Sequence, residues 1–150
     1  MPSVKKQLYS LCLAYIDERI QVANQAIQFA QDSANDETKS TAGDKYETGR
    51  AMAQLEIEKI NAQLNESKKL KQNLIQLENA IVTDRVQPGS LVITNQGKFY
   101  ISIPAGQFTI DKEIYFAISP SSPIAQQLLF SNVGDRFEFN KKEFVIQQIL

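Results

Sequence analysis

Between Pro2 and Pro88 the chain has no proline, and over most of that stretch its apolar residues recur at alternating steps of four and three. That periodicity draws one apolar stripe along a helix and suits little else. In the first half the stripe is Tyr9, Leu13, Ile16, Ile20, Ala23, Ile27 and Ala30, a coiled-coil seam held for three heptads. Asp17, Glu18, Arg19, Gln21, Asn24, Gln25 and Gln28, which lie between them, are polar, as an exposed face should be. A second stripe carries Ile57, Ile60, Leu64, Leu70, Leu74, Leu77 and Ile81. Its period is expected to slip by about three residues around Ser67 to Lys71.

Residues 32–49, DSANDETKSTAGDKYETG, hold few large apolar side chains and are expected as a polar link. Two amphipathic helices so joined fold back as an antiparallel hairpin. A first helix from about Val4 to Ser33 would span roughly 45 Å, too long to be enclosed by what remains of the chain. Its distal end is expected to reach into solvent or a partner.

The character of the sequence changes at Thr83. A proline-glycine turn signal at Pro88-Gly89 is followed by strand-like runs: LVITN, KFYISI, EIYFAIS, RFEF and EFVIQQI. Asn-Gln-Gly, Pro-Ala-Gly, Gly-Asp and Asn-Lys-Lys bound them as turns. Within this region SSPIAQQLLF predicts a short helix, with Ser122 at its N-cap and Pro123 at its first position. The expected fold class is therefore α+β. An N-terminal antiparallel helical hairpin (a coiled coil) occupies residues 1–82, with an acidic tip near 34–49, and a small α+β domain occupies 83–150.

Composition narrows the chemistry. The chain has 16 basic and 17 acidic residues, a formal net charge of -1, which argues against binding nucleic acid by neutralising many phosphates. It has no histidine, so Ser-His-Asp and Cys-His nucleophile systems and histidine-ligated zinc are excluded. Cys12 stands alone, so no disulfide can form within the chain, and it reads as an inert helix residue. Lys5 and Lys6 precede an apolar patch, but Asp17, Glu18 and Arg19 interrupt it and its spacing is helical. No apolar run approaches the roughly 20 residues needed to cross a bilayer. A cytoplasmic protein without membrane contact is expected.

Two stretches carry a resemblance. Gly43-Asp44-Lys45-Tyr46-Glu47 at the hairpin tip is similar to the Gly-Asp-x-x-Glu tips of the Gre family of transcript cleavage factors. Ser122-Pro123-Ile124-Ala125-Gln126-Gln127-Leu128-Leu129, with Val133-Gly134-Asp135 after it, resembles the Ser-Pro helix and closing strands of the Gre carboxy-terminal domain. Order and length agree across essentially the whole chain. The resemblance implies an FKBP-like fold for the second domain, and a partner, bacterial RNA polymerase.

It also implies a job. The factor would insert its hairpin tip into the polymerase secondary channel and stimulate cleavage of backtracked RNA, touching nascent RNA only indirectly. It would be an accessory factor and no enzyme by itself. Asp44 and Glu47 would be the catalytic carboxylates, completing the shell of a second magnesium held jointly with the polymerase. The chain would have no cofactor of its own, since magnesium takes oxygen ligands and two carboxylates do not make a site. Ser122, Pro123 and Ile124 would dock on the polymerase, Lys45 and Arg50 would approach RNA phosphates, and the chain would act as a monomer.

Other readings of the same residues stay open. Asp44 with Glu47 three residues later is also a capping-box-like pattern. Asp36, Glu37 and Lys39 read as solvated tip charges, Tyr46 as a packing or exposed residue, and Gly43 and Gly49 as chain-reversal residues. Thr48, Gly49 and Arg50 replace the Asn-Ala-Glu-Tyr-like stretch that usually follows the tip glutamate, and Ser121 stands where an acidic residue often precedes Ser-Pro. Those departures fit a non-cleaving regulator of the same channel. A coiled-coil interaction module is the third reading.

Overall fold

A computed structural model describes residues 3–40, 44–81 and 83–150; for 36–40 and 44–47 it describes the backbone alone. Two long helices, α1 (Val4–Ser40) and α2 (Asp44–Gln76), form the hairpin. A small sheet domain follows, with β1 (Leu91–Thr94), β2 (Lys98–Ile101), β3 (Gly106–Ile110), β4 (Glu113–Ile118), α3 (Pro123–Leu128), β5 (Arg136–Phe139) and β6 (Lys142–Ile149). The expected α+β class holds. Among the described residues no helix is long and apolar enough to cross a membrane.

By packing, the chain divides into two compact units. One joins Met1–Tyr15 to Lys71–Leu150, and the other is Ile16–Leu70. The composition shift at residue 83 thus marks a change from helix to strand, while the units divide within the helices.

The helices correct three expectations. The polar link of residues 32–49 is largely helical, because α1 continues to Ser40 and α2 opens at Asp44. Nothing in DSANDETKS breaks a helix, and an exposed hairpin needs apolar side chains only along its seam. Ala34 of α1 and Ala53 of α2 border a common hollow there, so the helices stay neighbours through the supposed link.

The second correction concerns the seam of α2. Ile60, Leu64, Ser67 and Leu74 are buried and Lys71 is half-buried, so the heptad runs straight through without a slip. Ser67, only 6% exposed, fills the position where a large apolar residue is missing.

Third, α2 ends at Gln76 and not near Ile81, which is exposed. Leu77, Glu78 and Ala80 donate their backbone N–H groups to the carbonyls three residues back, tightening the chain into turns. Gly89, at φ +94°, lies against this turn; a Cβ there would stand 3.0 Å from that of Ala80.

At the start of α1 the fully buried residues are Leu8, Cys12 and Ile16, whereas Tyr9 and Leu13 are half-buried. The stripe is rotated because this end of α1 also meets the sheet domain: Cys12 Sγ lies 3.8 Å from Ser102 Oγ.

The six strands form one sheet in the order β3-β4-β2-β1-β6-β5. β2 and β4 are parallel and the other neighbours antiparallel. Val86, Val92, Ile101, Leu128 and Ile146 make the core cluster, with Ile124 and Phe137 packed on it. Leu91 and Tyr100, paired across β1 and β2, are buried on the opposite face.

β3 was not expected. It is an edge strand whose residues are mostly exposed, so it lacks a solid apolar run. Asp111 and Lys112, both at positive φ (50° and 68°), close the β3–β4 hairpin as a type I′-like turn. Asn140 and Lys141 do the same between β5 and β6, where the Asn-Lys-Lys signal predicted a turn.

Candidate functional site

The tip is the first place to look for the sequence-predicted carboxylates. Asp44 is the first residue of α2 and Glu47 lies in its first turn, with Lys45 between them. The side chains of Asp44, Lys45 and Glu47 lie outside the described residues, as do those of Asp36, Glu37 and Lys39. Arg50 is exposed and borders a hollow with Gln31, Asn35 and Gln54.

Carboxylate oxygens are the right donors for magnesium, which usually takes one or two of them and keeps several waters. Among the described residues no group of three or more His, Cys, Asp or Glu comes together.

The second predicted site is a built surface. The Ser122 hydroxyl donates to the Ser119 carbonyl at 2.8 Å and accepts from the Ala125 N–H at 3.3 Å. Ser122 also donates its backbone N–H to Ser119 O at 3.0 Å. Ser119 and Ser121 join their hydroxyls at 2.8 Å, and Gln126 Nε2 donates to the Pro120 carbonyl at 2.9 Å. The loop 119–122 is thus fixed to the start of α3 by side chains from both ends.

The three candidate residues play different parts here. Pro123 is exposed, Ser122 caps the helix, and Ile124 is half-buried against the core cluster. Pro123 is therefore the residue most available to a partner. Ser122→Ala is expected to lower stability by about 1 kcal/mol, the usual cost of losing such a cap. Thermal melting of the variant beside the native chain checks it.

Cys12 is excluded as a nucleophile. It is fully buried, and burial pushes its thiol up to about 11, with Ser102 pulling weakly the other way. At pH 8 a thiol reagent is expected to modify the native chain at least about 100-fold more slowly than the denatured chain, because the thiolate reacts and it must first be exposed. The same shift sets a pH dependence. From the ordinary 9 up to about 11 the unfolded chain releases this proton while the folded chain keeps it. Stability attributable to Cys12 therefore falls as pH rises through that window.

The sequence reading missed a cleft of about 680 Å³ bordered by Lys5, Lys6, Tyr9, Leu77 and Tyr100. Burial lowers the pKa of Lys5, and it raises that of Tyr100. Its walls come from residues some 90 positions apart, and no local motif announces it. The chain matches no protein-family model, and no curated protein matches it at a significant level.

Proposed function

We propose that the chain is an accessory factor of bacterial RNA polymerase that carries Asp44 and Glu47 through the secondary channel to stimulate cleavage of backtracked RNA. The observation that supports this most is helical continuity. Only residues 41–43 separate α1 from α2, so both carboxylates belong to the first turn of a long helix and not to a long loop. The 37 residues of α1 make a helix about 55 Å long.

Each group then has a task. Pro123, with Ser122 and Ile124 behind it, anchors the chain on the polymerase. Asp44 and Glu47 add oxygen ligands that the polymerase lacks. Lys45 and Arg50 face RNA phosphates. Asp44 and Glu47 would hold magnesium jointly with the polymerase, and that ion would supply Lewis-acid chemistry for hydrolysis of the RNA. Because Thr48-Gly49-Arg50 departs from the usual tip, a factor that occupies the channel without stimulating cleavage is the second reading.

A tethered cutter distinguishes the channel from the outer surface. Thr48→Cys places a thiol beside the tip, where an iron chelate can be attached while Cys12 stays buried and unlabelled. Hydroxyl-radical cuts in the catalytic loops of the polymerase or near the RNA 3′ end are expected. Cuts confined to the outer surface of the polymerase, or none, would overturn the channel reading.

A further inference from the structure

The cleft at Lys5, Tyr9 and Tyr100 lies wholly within the unit that joins Met1–Tyr15 to Lys71–Leu150. Its volume of about 680 Å³ is that of a pocket able to enclose a small molecule. One wall is α1, where Lys5, Tyr9 and Leu13 follow at steps of four and so share a face. Another is the turn 77–80, fixed by the backbone bonds of Leu77, Glu78 and Ala80 and backed by Gly89. Tyr100 of β2 completes the lining.

Two polar groups here lack a partner in the chain. Tyr100 is 1% exposed, and among the described residues nothing hydrogen-bonds its hydroxyl. No fully enclosed side-chain oxygen among them goes unsatisfied, so this hydroxyl keeps its opening on the cleft that Tyr100 lines. Lys5 is half-buried and makes no ion pair among the described residues. Burial alone lowers its pKa, so no carboxylate stands close enough to offset the lost water. Lys5 and Lys6 also occupy the first turn of α1, which has no acidic residue, at the end where a helix favours anions.

The chemistry that answers both groups is a carboxylate, which accepts from an ammonium and a phenol at once. The lining sets Lys5 and Lys6 against Glu78, a surplus of one positive charge that suits a monoanion. Lys71, close enough to Tyr9 to favour its ionised form, adds to that surplus. Leu13, Leu77 and Ala80 offer apolar surface beside the donors. We infer that this cleft binds a small organic monocarboxylate, its head held by Lys5 and the Tyr100 hydroxyl and its hydrocarbon body along Leu13 and Leu77. The site stands apart from the polymerase reading, since it uses none of the tip or docking residues.

Titration calorimetry of the full chain tests it with decanoate and 4-phenylbutanoate, a linear and an aryl body under the same head. At least one is expected to bind at a single site with a Kd below about 1 mM, an affinity that roughly a dozen heavy atoms can supply. 4-Phenylbutanol has the body without the charge and inorganic phosphate has the charge without the body; each should bind at least about tenfold more weakly. Tyr100→Phe and Lys5→Gln should each weaken the carboxylate at least about tenfold, the usual worth of a hydrogen bond to a charged group, with melting unchanged. Lys142→Gln alters an exposed lysine outside the cleft and should bind like the native chain. Binding of neither carboxylate overturns the inference, and so does an alcohol or phosphate that binds as tightly as they do. Native affinity in either Tyr100→Phe or Lys5→Gln, or an equal loss in Lys142→Gln, overturns it too.

Discussion

Alanine at both Asp44 and Glu47 is expected to slow factor-stimulated RNA shortening by about 100-fold or more, since even groups behind metal ligands contribute 10- to 100-fold. Binding to the polymerase should persist, because the proposed docking residues Ser122, Pro123 and Ile124 are untouched. The effect is large because these carboxylates would be the chain's whole chemical contribution: it has no histidine and one buried cysteine. A pure capping role for the pair gives a different result. The double variant would then lose about 1 kcal/mol of stability and leave shortening unchanged. Comparing single-turnover shortening with thermal melting for the same variant separates the two.

The second large effect concerns the fold. Ile101→Ala is expected to destabilise the sheet domain by about 3 kcal/mol, from the lost side chain and the cavity it leaves. Ile101 is fully buried within the cluster of Val86, Val92, Leu128 and Ile146. It lies on β2, which pairs with β1 on one side and with β4 on the other. A fall of about 10 °C in the melting midpoint would follow for a chain of this length. Ile81→Ala is the control, since Ile81 is 79% exposed and should melt like the native chain.

Particular residues show what could be read in advance. The heptad from Tyr9 to Ala30 announced a long helix because a seam must repeat in register along its length. Ser122-Pro123 announced the start of α3 because an N-cap oxygen and a fixed proline φ are local requirements, met in the structure by the bond from Ala125 N to Ser122 Oγ. What failed was whatever depended on remote neighbours. Ser67 looked like a break in the α2 seam, yet a small polar residue can occupy a seam position when the facing side chains are small. Cys12 stood outside the expected stripe of Tyr9 and Leu13, yet it is fully buried beside Ser102 of the sheet domain. β3 escaped because an edge strand packs too little apolar surface to leave a pattern. At the candidate site the cap at Ser122 was legible, but the cleft at Lys5, Tyr9 and Tyr100 was not, since distant segments build it.

The most direct test of the central claim adds the purified chain, with magnesium, to backtracked elongation complexes of its own host's polymerase. The expected result is RNA shortened from its 3′ end faster than by the polymerase alone. Binding without shortening would contradict the cleavage role and move the chain to the channel-regulator reading. Neither binding nor shortening would contradict the account as a whole.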